Sequence, residues 1–139
     1  MTPLRALLAW LLLLAVAVAN GTLRQLVYGP SMDDAVAHRI STGIGAVALG
    51  VAMWLVLRRW RVGTPARAWA LGAFWTGLTV AFEFGMGRAG GHSWDDLLAQ
   101  YALWRGSLWP LLLCWILIAP AVFQALDRPG RPRREHPCA

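Results

Sequence analysis

The chain has 139 residues and a mass of 15.3 kDa, about the size of one domain. It is 58% hydrophobic and only 14% charged, well below the roughly 25% charged residues of an ordinary soluble domain. All 13 basic residues are arginine, and against 7 acids they give a net charge of +6. This composition argues against a disulfide scaffold, a disordered chain, a soluble enzyme and a nucleic-acid-binding protein. It favours a membrane protein whose arginines mark the ends of its spans.

Four apolar stretches are long enough to cross a bilayer, which takes about 20 residues of helix. The predicted spans are residues 4–19, 40–57, 68–87 and 108–126. Glu83 interrupts the third span, and Pro110 and Pro120 lie in the fourth, where neighbouring helices can satisfy the freed backbone groups. The predicted fold is all-α: a four-transmembrane-helix bundle over residues 1–127, followed by a disordered Arg- and Pro-rich cytoplasmic tail over 128–139.

The first span also resembles a secretory signal peptide. Arg5 precedes an apolar run that ends in the small residues Ala17-Val18-Ala19, which is typical of a cleavage site. Cleavage there would remove the first helix from the mature protein. We favour a retained helix, with cleavage as the alternative.

The arginines predict the orientation of the chain. The connection between the second and third spans is basic and contains no acid; its arginines are Arg58, Arg59, Arg61 and Arg67. The other two connections combine arginines with Asp pairs. Because basic loops stay on the cytoplasmic side, we expect a multi-pass protein of the cell inner membrane with both termini in the cytoplasm. The loops over residues 20–39 and 88–107 then face outward.

The two outward loops contain the same short pattern. Gly29-Pro30-Ser31-Met32-Asp33-Asp34 and Gly91-His92-Ser93-Trp94-Asp95-Asp96 each place an aspartate three residues after a serine, which predicts helix N-caps at Ser31 and Ser93. After the second pattern, apolar and aromatic residues recur at helical spacing, which predicts a short amphipathic helix in the membrane interface. They are Trp94, Leu97, Leu98, Tyr101, Trp104 and Leu108. We favour two independent helix starts. The alternative is a duplicated hairpin whose halves are related by an axis along the membrane normal.

Polar residues near the outer ends of the spans form the candidate site. A carboxylate within a span costs about 2.5–3.5 kcal/mol at the bilayer centre and suggests a function by default. Thr76, Thr79 and Glu83 share one face of the third span, and we expect that face to look into the bundle. A ridge of small residues, expected to contact a neighbouring helix, consists of Ala73, Gly77, Ala81 and Gly85. The predicted polar cluster consists of Asn20, Arg24, His38, Arg39, Glu83, His92 and Arg105.

This cluster has several interpretations. We favour a structural salt bridge between Glu83 and Arg24, Arg39 or His38, which would fix the helix register, ahead of a site for a substrate, ion or proton. A metal site from His38, Glu83 and His92 has suitable ligand types but no supporting spacing motif, so no metal ligands are predicted. No catalytic residues are predicted either, because no convincing nucleophile, base and orienting group converge.

Five motifs extend over most of the chain outside its tail. They are Asn20-Gly21-Thr22-Leu23-Arg24, Ala37-His38-Arg39-Ile40-Ser41, Thr79-Val80-Ala81-Phe82-Glu83-Phe84-Gly85, Gly91-His92-Ser93-Trp94-Asp95-Asp96-Leu97-Leu98 and Gly106-Ser107-Leu108-Trp109-Pro110. Together they resemble a family of small four-span bacterial integral membrane proteins. The resemblance implies the four-span architecture and directs attention to the outward loops, and it implies no particular activity.

The sequence thus predicts a non-catalytic structural, binding or accessory component of the membrane with an outward-facing polar cluster. The alternative is a transporter of a small solute or ion, or a proton-coupled transporter. It would have to act as an oligomer, because one four-helix chain encloses little space. Expected partners are the lipid bilayer and either further copies of the chain or a larger membrane complex, with no nucleic acid. The sequence identifies no particular cofactor.

Overall fold

The structure, a computed structural model, describes residues 1–99, 101 and 107–127. This part of the chain is 86% helical and contains no strand, which confirms the all-α prediction. The α-helices are α1 (Pro3–Leu23), α2 (Asp34–Arg59), α3 (Pro65–Ala89), α4 (Trp94–Ala99) and α5 (Trp109–Leu126). Between α1 and α2 the chain continues through a π-helical turn (Arg24–Tyr28) and a 3₁₀ turn (Gly29–Ser31). The predicted tail over 128–139 lies outside the described residues.

Three segments are long and apolar enough to cross a membrane. They are Pro3–Ser31, which contains α1, and the helices Asp34–Arg59 and Trp109–Leu126. Helix α3 is also long, at 25 residues, but it is less apolar because Glu83 and several Gly, Thr and Trp residues interrupt its hydrophobic side chains. The predicted third span is therefore present as a helix, and its membrane crossing remains a prediction.

Helices α1 and α3 begin with the same Thr-Pro pair. Thr2 Oγ1 accepts a hydrogen bond from the Arg5 backbone N–H at 3.4 Å, and Thr64 Oγ1 accepts one from the Arg67 N–H at 3.3 Å. In both helices the proline follows the capping threonine, where its missing N–H costs nothing and its fixed φ suits the first turn. The two starts lie at the end of the bundle that carries the α2–α3 connection, here called the arginine end.

Helices α1, α2, α5 and α3 form a closed ring in that order. Tryptophan N–H groups join neighbouring helices: Trp75 Nε1 donates to the Ala6 carbonyl at 2.9 Å, and Trp10 Nε1 donates to Thr79 Oγ1 at 3.2 Å. Because both contacts advance in the same direction along α1 and α3, these helices run parallel. On the other side of the ring, Trp115 Nε1 of α5 donates to the Ala46 carbonyl of α2 at 3.1 Å.

The core side of α3 differs in part from the prediction. Trp75 is fully buried, and Gly72 packs directly against the backbone of Leu117 in α5. The predicted face with Thr76, Thr79 and Glu83 lies on this same side and is half-buried. The predicted ridge of small residues is instead exposed at all four positions, Ala73, Gly77, Ala81 and Gly85. The ridge was predicted on the wrong face, because it lies almost opposite Gly72 and Trp75 on the helical wheel.

The order of the helices in the ring tests the alternative of a duplicated hairpin. In a duplication α1 would correspond to α3 and α2 to α5, and an axis along the centre of the ring would place corresponding helices on its diagonals. The observed order makes α1 and α3 neighbours, as it does α2 and α5. The arrangement favours two independent helix starts.

Replacing Gly72 with alanine tests the contact between α3 and α5. The added methyl group would overlap the backbone carbonyl of Leu117, so we expect a cost of about 1–3 kcal/mol and a lower Tm. Gly77→Ala is the matched control, because nothing lies within 4 Å of its added carbon. Circular dichroism of the purified protein during heating in detergent measures both, and equal Tm values for the two variants would contradict this packing.

Candidate functional site

The candidate site lies at the end of the bundle opposite the arginine end, here called the α4 end. At this end, the connection between α1 and α2 differs from the prediction where α2 begins. The N-cap is Asp33, whose Oδ1 accepts from the Ala35 N–H at 3.0 Å, and the predicted cap at Ser31 is wrong. Ser31 Oγ donates backward to the Tyr28 carbonyl at 3.0 Å, because the residue closes the 3₁₀ turn that precedes α2.

The second loop contains the predicted N-cap at Ser93. Asp96 Oδ2 accepts hydrogen bonds from the Ser93 backbone N–H at 3.1 Å and from the Ser93 hydroxyl at 2.6 Å, while the Asp96 N–H donates to Ser93 Oγ at 3.2 Å. Gly91, with φ of +82°, makes the turn before this cap, a conformation that favours glycine. The reciprocal bonds confirm the acidic capping box.

Helix α4 packs on the last turn of α3 through one side. Leu97 is buried and fits against Gly87, where any larger residue would overlap it. Trp94 and Leu98 are 57% and 56% exposed, so α4 has a buried contact and an exposed apolar surface. The predicted helix extended to Leu108. The structure shows it over Trp94–Ala99, and residue 100 and residues 102–106 lie outside the described part of the chain.

A polar clamp joins α1 to α2 at the α4 end. Asn20 Nδ2 donates to the Ser41 carbonyl at 2.9 Å and to Ser41 Oγ at 3.1 Å. Ser41 is buried, and Gly45, one turn further along α2, leaves room for the Asn20 amide. Because helix residues about four apart lie on one face, the clamp places Arg24 beside His38.

Arg24 and His38 belong to a pocket of about 490 Å³, here called the cationic pocket. Its lining residues are Arg24, Asp34, Ala35, His38, Arg39, Ala99 and Ser107. Arg24 Nη1 lies 2.8 Å from His38 Nδ1. Since arginine can only donate, His38 Nδ1 must accept, which assigns a neutral imidazole with its proton on Nε2. The pocket therefore contains two guanidinium groups, one neutral imidazole and one carboxylate.

Glu83 belongs to a second pocket of about 210 Å³, here called the acidic pocket. Its lining residues are Phe82, Glu83, Phe84, Met86, Gly87, His92, Leu97 and Tyr101. The Tyr101 hydroxyl donates to Glu83 Oε2 at 3.0 Å. Burial, and then the nearby Glu83 carboxylate, raise the pKa of Tyr101 to about 12. The phenol therefore stays protonated at neutral pH and remains a donor.

Aromatic rings support the acidic pocket. Phe84 stacks on Tyr101 with ring centroids 5.6 Å apart and lies 5.8 Å from Trp94. Arg88 lies over the Trp94 ring at 5.2 Å and donates to the His92 carbonyl at 2.9 Å. These contacts direct the Arg88 guanidinium to α4 and the turn that precedes it.

The structure divides the predicted polar cluster between the two pockets. Arg24, His38 and Arg39 line the cationic pocket, whereas Glu83 and His92 line the acidic pocket. Within residues 1–99, 101 and 107–127, Glu83 makes no ion pair and accepts instead from a tyrosine. The remaining predicted members are Asn20, which forms the clamp below the cationic pocket, and Arg105, which lies outside the described residues.

Sequence reasoning missed three polar lining residues. Tyr101 was assigned to the apolar face of the interfacial helix, although a tyrosine hydroxyl near a membrane acid is a recognisable donor. Asp34 was assigned to a cap and Ser107 to a motif, and both line the cationic pocket. In the part of the chain that the structure describes, no group of three His, Cys, Asp or Glu could hold a metal ion. His38 lines the cationic pocket, whereas Glu83 and His92 line the acidic pocket.

Comparisons with protein-family models, with curated proteins and with solved structures found no match. Function is therefore inferred from the chemistry of the two pockets and from the way the helices present them. The pockets differ in the charged side chains that line them.

Ser93→Ala tests the cap of α4. The Ser93 hydroxyl, followed by its backbone N–H, lowers the pKa of Asp96 from the ordinary 3.8, so loss of the hydroxyl should raise that pKa. The cap favours the ionised Asp96 carboxyl. Its contribution to the stability of α4 is therefore complete above the ordinary aspartate pKa, and it is lost as the pH falls through the lowered pKa of Asp96. Carboxyl ¹³C NMR titration measures the midpoint, and the signal that disappears in Asp96→Asn identifies the Asp96 carboxyl. Equal Asp96 midpoints in wild type and Ser93→Ala would refute this role.

Proposed function

We propose that this chain is a four-span protein of the cell inner membrane that acts as a non-catalytic binding component. In this proposal α1, α2, α3 and α5 cross the bilayer, and the α4 end faces away from the cytoplasm. The cationic pocket is the binding site. The observation that carries the proposal is the convergence of Arg24, Arg39 and His38 on one open pocket at the α4 end.

The surface of α3 supports its assignment as a membrane span, which brings the number of spans to four. Its large apolar side chains include Trp69, Phe74 and Met86, which are 48%, 42% and 59% exposed. Water contact would be unfavourable for such a surface, whereas lipid tails match it. At 25 residues and about 1.5 Å per residue, α3 is also long enough for a hydrocarbon core of about 30 Å.

The two ends of the bundle support the proposed orientation. At the arginine end, Arg58 lies 4.9 Å from the centre of the Trp54 ring and Arg5 lies 5.9 Å from that of Trp60. Tryptophan is enriched at the headgroup level, and arginine is retained on the cytoplasmic side. At the α4 end, the exposed Trp94 and Leu98 suit an interfacial position for α4.

Reporter fusions test this orientation. A fluorescent protein that folds only in the cytoplasm should be active when fused after Ala139, and alkaline phosphatase at the same point should be inactive. Fusions after Gly90, in the loop before α4, should give the opposite pair of activities. The paired reporters control for expression level, and phosphatase activity after Ala139 would overturn the topology.

The cationic pocket has the chemistry to bind an anionic group. Guanidinium groups recognise phosphate and carboxylate through paired, charge-assisted hydrogen bonds. Arg24 and Arg39 outnumber the single carboxylate of Asp34, and the neutral His38 adds a donor at Nε2. Within the headgroup region the natural ligand class is the phosphate of a lipid headgroup or a free anion of similar shape.

Substitution of the two arginines tests binding in this pocket. Arg24→Gln and Arg39→Gln should each weaken binding by about tenfold or more, because each removes charge-assisted hydrogen bonds. Calorimetric titration of the full chain in a non-ionic detergent with dihexanoyl phosphatidylglycerol, and separately with inorganic phosphate, measures the effect and distinguishes a lipid from a free anion. Arg58→Gln at the arginine end changes the net charge equally and should bind as wild type. Equal weakening in all three variants would show that overall charge controls binding, and it would contradict the cationic pocket as the binding site.

A further inference from the structure

The acidic pocket presents a carboxylate that is half-buried beside apolar surface. Glu83 forms no ion pair with any described residue, and it accepts a hydrogen bond from the neutral Tyr101 hydroxyl. The described arginine nearest to it in sequence is Arg88, which is held by the His92 carbonyl and the Trp94 ring. An ionised carboxylate in such surroundings is stabilised by a positive group that enters the pocket.

The lining of the pocket selects the kind of positive group. Phe82, Phe84 and Tyr101 line the same pocket as the Glu83 carboxylate. The faces of aromatic rings attract cations, most of all organic ammonium groups that are weakly hydrated. Met86 and Leu97 complete an apolar wall. A small inorganic ion would lose its water shell here and gain few oxygen ligands, whereas an ammonium group with methyl or methylene substituents contacts both the rings and the carboxylate.

The size of the pocket limits the ligand. Its volume of about 210 Å³ corresponds to about seven water molecules at about 30 Å³ each. Tyr101 occupies one lone pair of Glu83 Oε2, and a carboxylate has about four such positions. Room and acceptor capacity therefore remain for one compact cationic head.

We propose that the acidic pocket binds a small organic ammonium group, with Glu83 as the counter-charge and Phe82, Phe84 and Tyr101 as the ring surface. Tyr101 is the positioning residue, because its hydroxyl holds Glu83 Oε2 while its ring extends the stack on Phe84. This site is separate from the cationic pocket and does not rest on the function proposed for it.

Calorimetric titration of the full chain with tetramethylammonium chloride tests the proposal. Wild type in a non-ionic detergent should bind the probe saturably, and sodium chloride at equal ionic strength should not compete. Glu83→Gln keeps the side-chain shape but removes the charge, and it should weaken binding by about tenfold or more. Asp95→Asn makes the same change of charge on α4 outside the pocket and should leave binding unchanged.

Two further variants keep the test informative if Glu83→Gln fails to fold. Phe84→Leu retains the carboxylate but removes a ring, and it should weaken tetramethylammonium binding several-fold. Arg105→Gln removes a basic residue of the same loop that lies outside the described residues, and it should bind the probe at least as well as wild type. Sodium competition, unchanged binding in Phe84→Leu, or binding that occurs only in Arg105→Gln would overturn the proposal.

Discussion

The hydrogen bond from Trp75 to the Ala6 carbonyl is the contact on which the arrangement of the helices most depends. The indole is fully buried, and its N–H must find an acceptor within the bundle because no water is available there. By joining α3 to a backbone carbonyl of α1, it makes these parallel helices neighbours. The same orientation of α3 brings Gly72 against α5 and directs Glu83 towards the α4 end. This buried polar contact thus acts together with the packing of α3 on α5 to orient the helix that carries the acid.

The α4 end combines two pockets of opposite charge without direct neutralisation between them. The clamp of Asn20 on Ser41 keeps Arg24 beside His38 on the α1–α2 side. On the α3 side Tyr101 satisfies one oxygen of Glu83 with a neutral donor. Among the described residues, neither set of charges forms an ion pair with the other. This separation also explains why the Glu83 salt bridge expected from charge alone is not seen among the described residues.

Contacts between neighbours in sequence were predicted correctly in part. The Ser93 cap was predictable from a serine and an aspartate three residues apart, because both partners lie in one helical turn. The same pattern gave a wrong cap at Ser31. The Ser31 hydroxyl donates to the Tyr28 carbonyl in the preceding 3₁₀ turn, and Asp33 caps α2 instead. The inward face of α3 was predicted from the spacing of Thr76, Thr79 and Glu83. The small ridge was assigned wrongly, since periodicity identifies faces but not which neighbouring helix each face meets.

The sequence by itself determined the all-helical class, long apolar segments suited to a bilayer and the asymmetric placement of arginine. These follow from composition and periodicity, which act within single helices. Only the tertiary structure decided the order of helices in the ring, the close contact at Gly72 and the partition of the polar residues. Those depend on contacts between residues far apart in the chain, such as Trp75 with Ala6 and Tyr101 with Glu83. The net charge of +6 therefore does not describe the candidate site, which is built from charges of both signs held apart by helix packing.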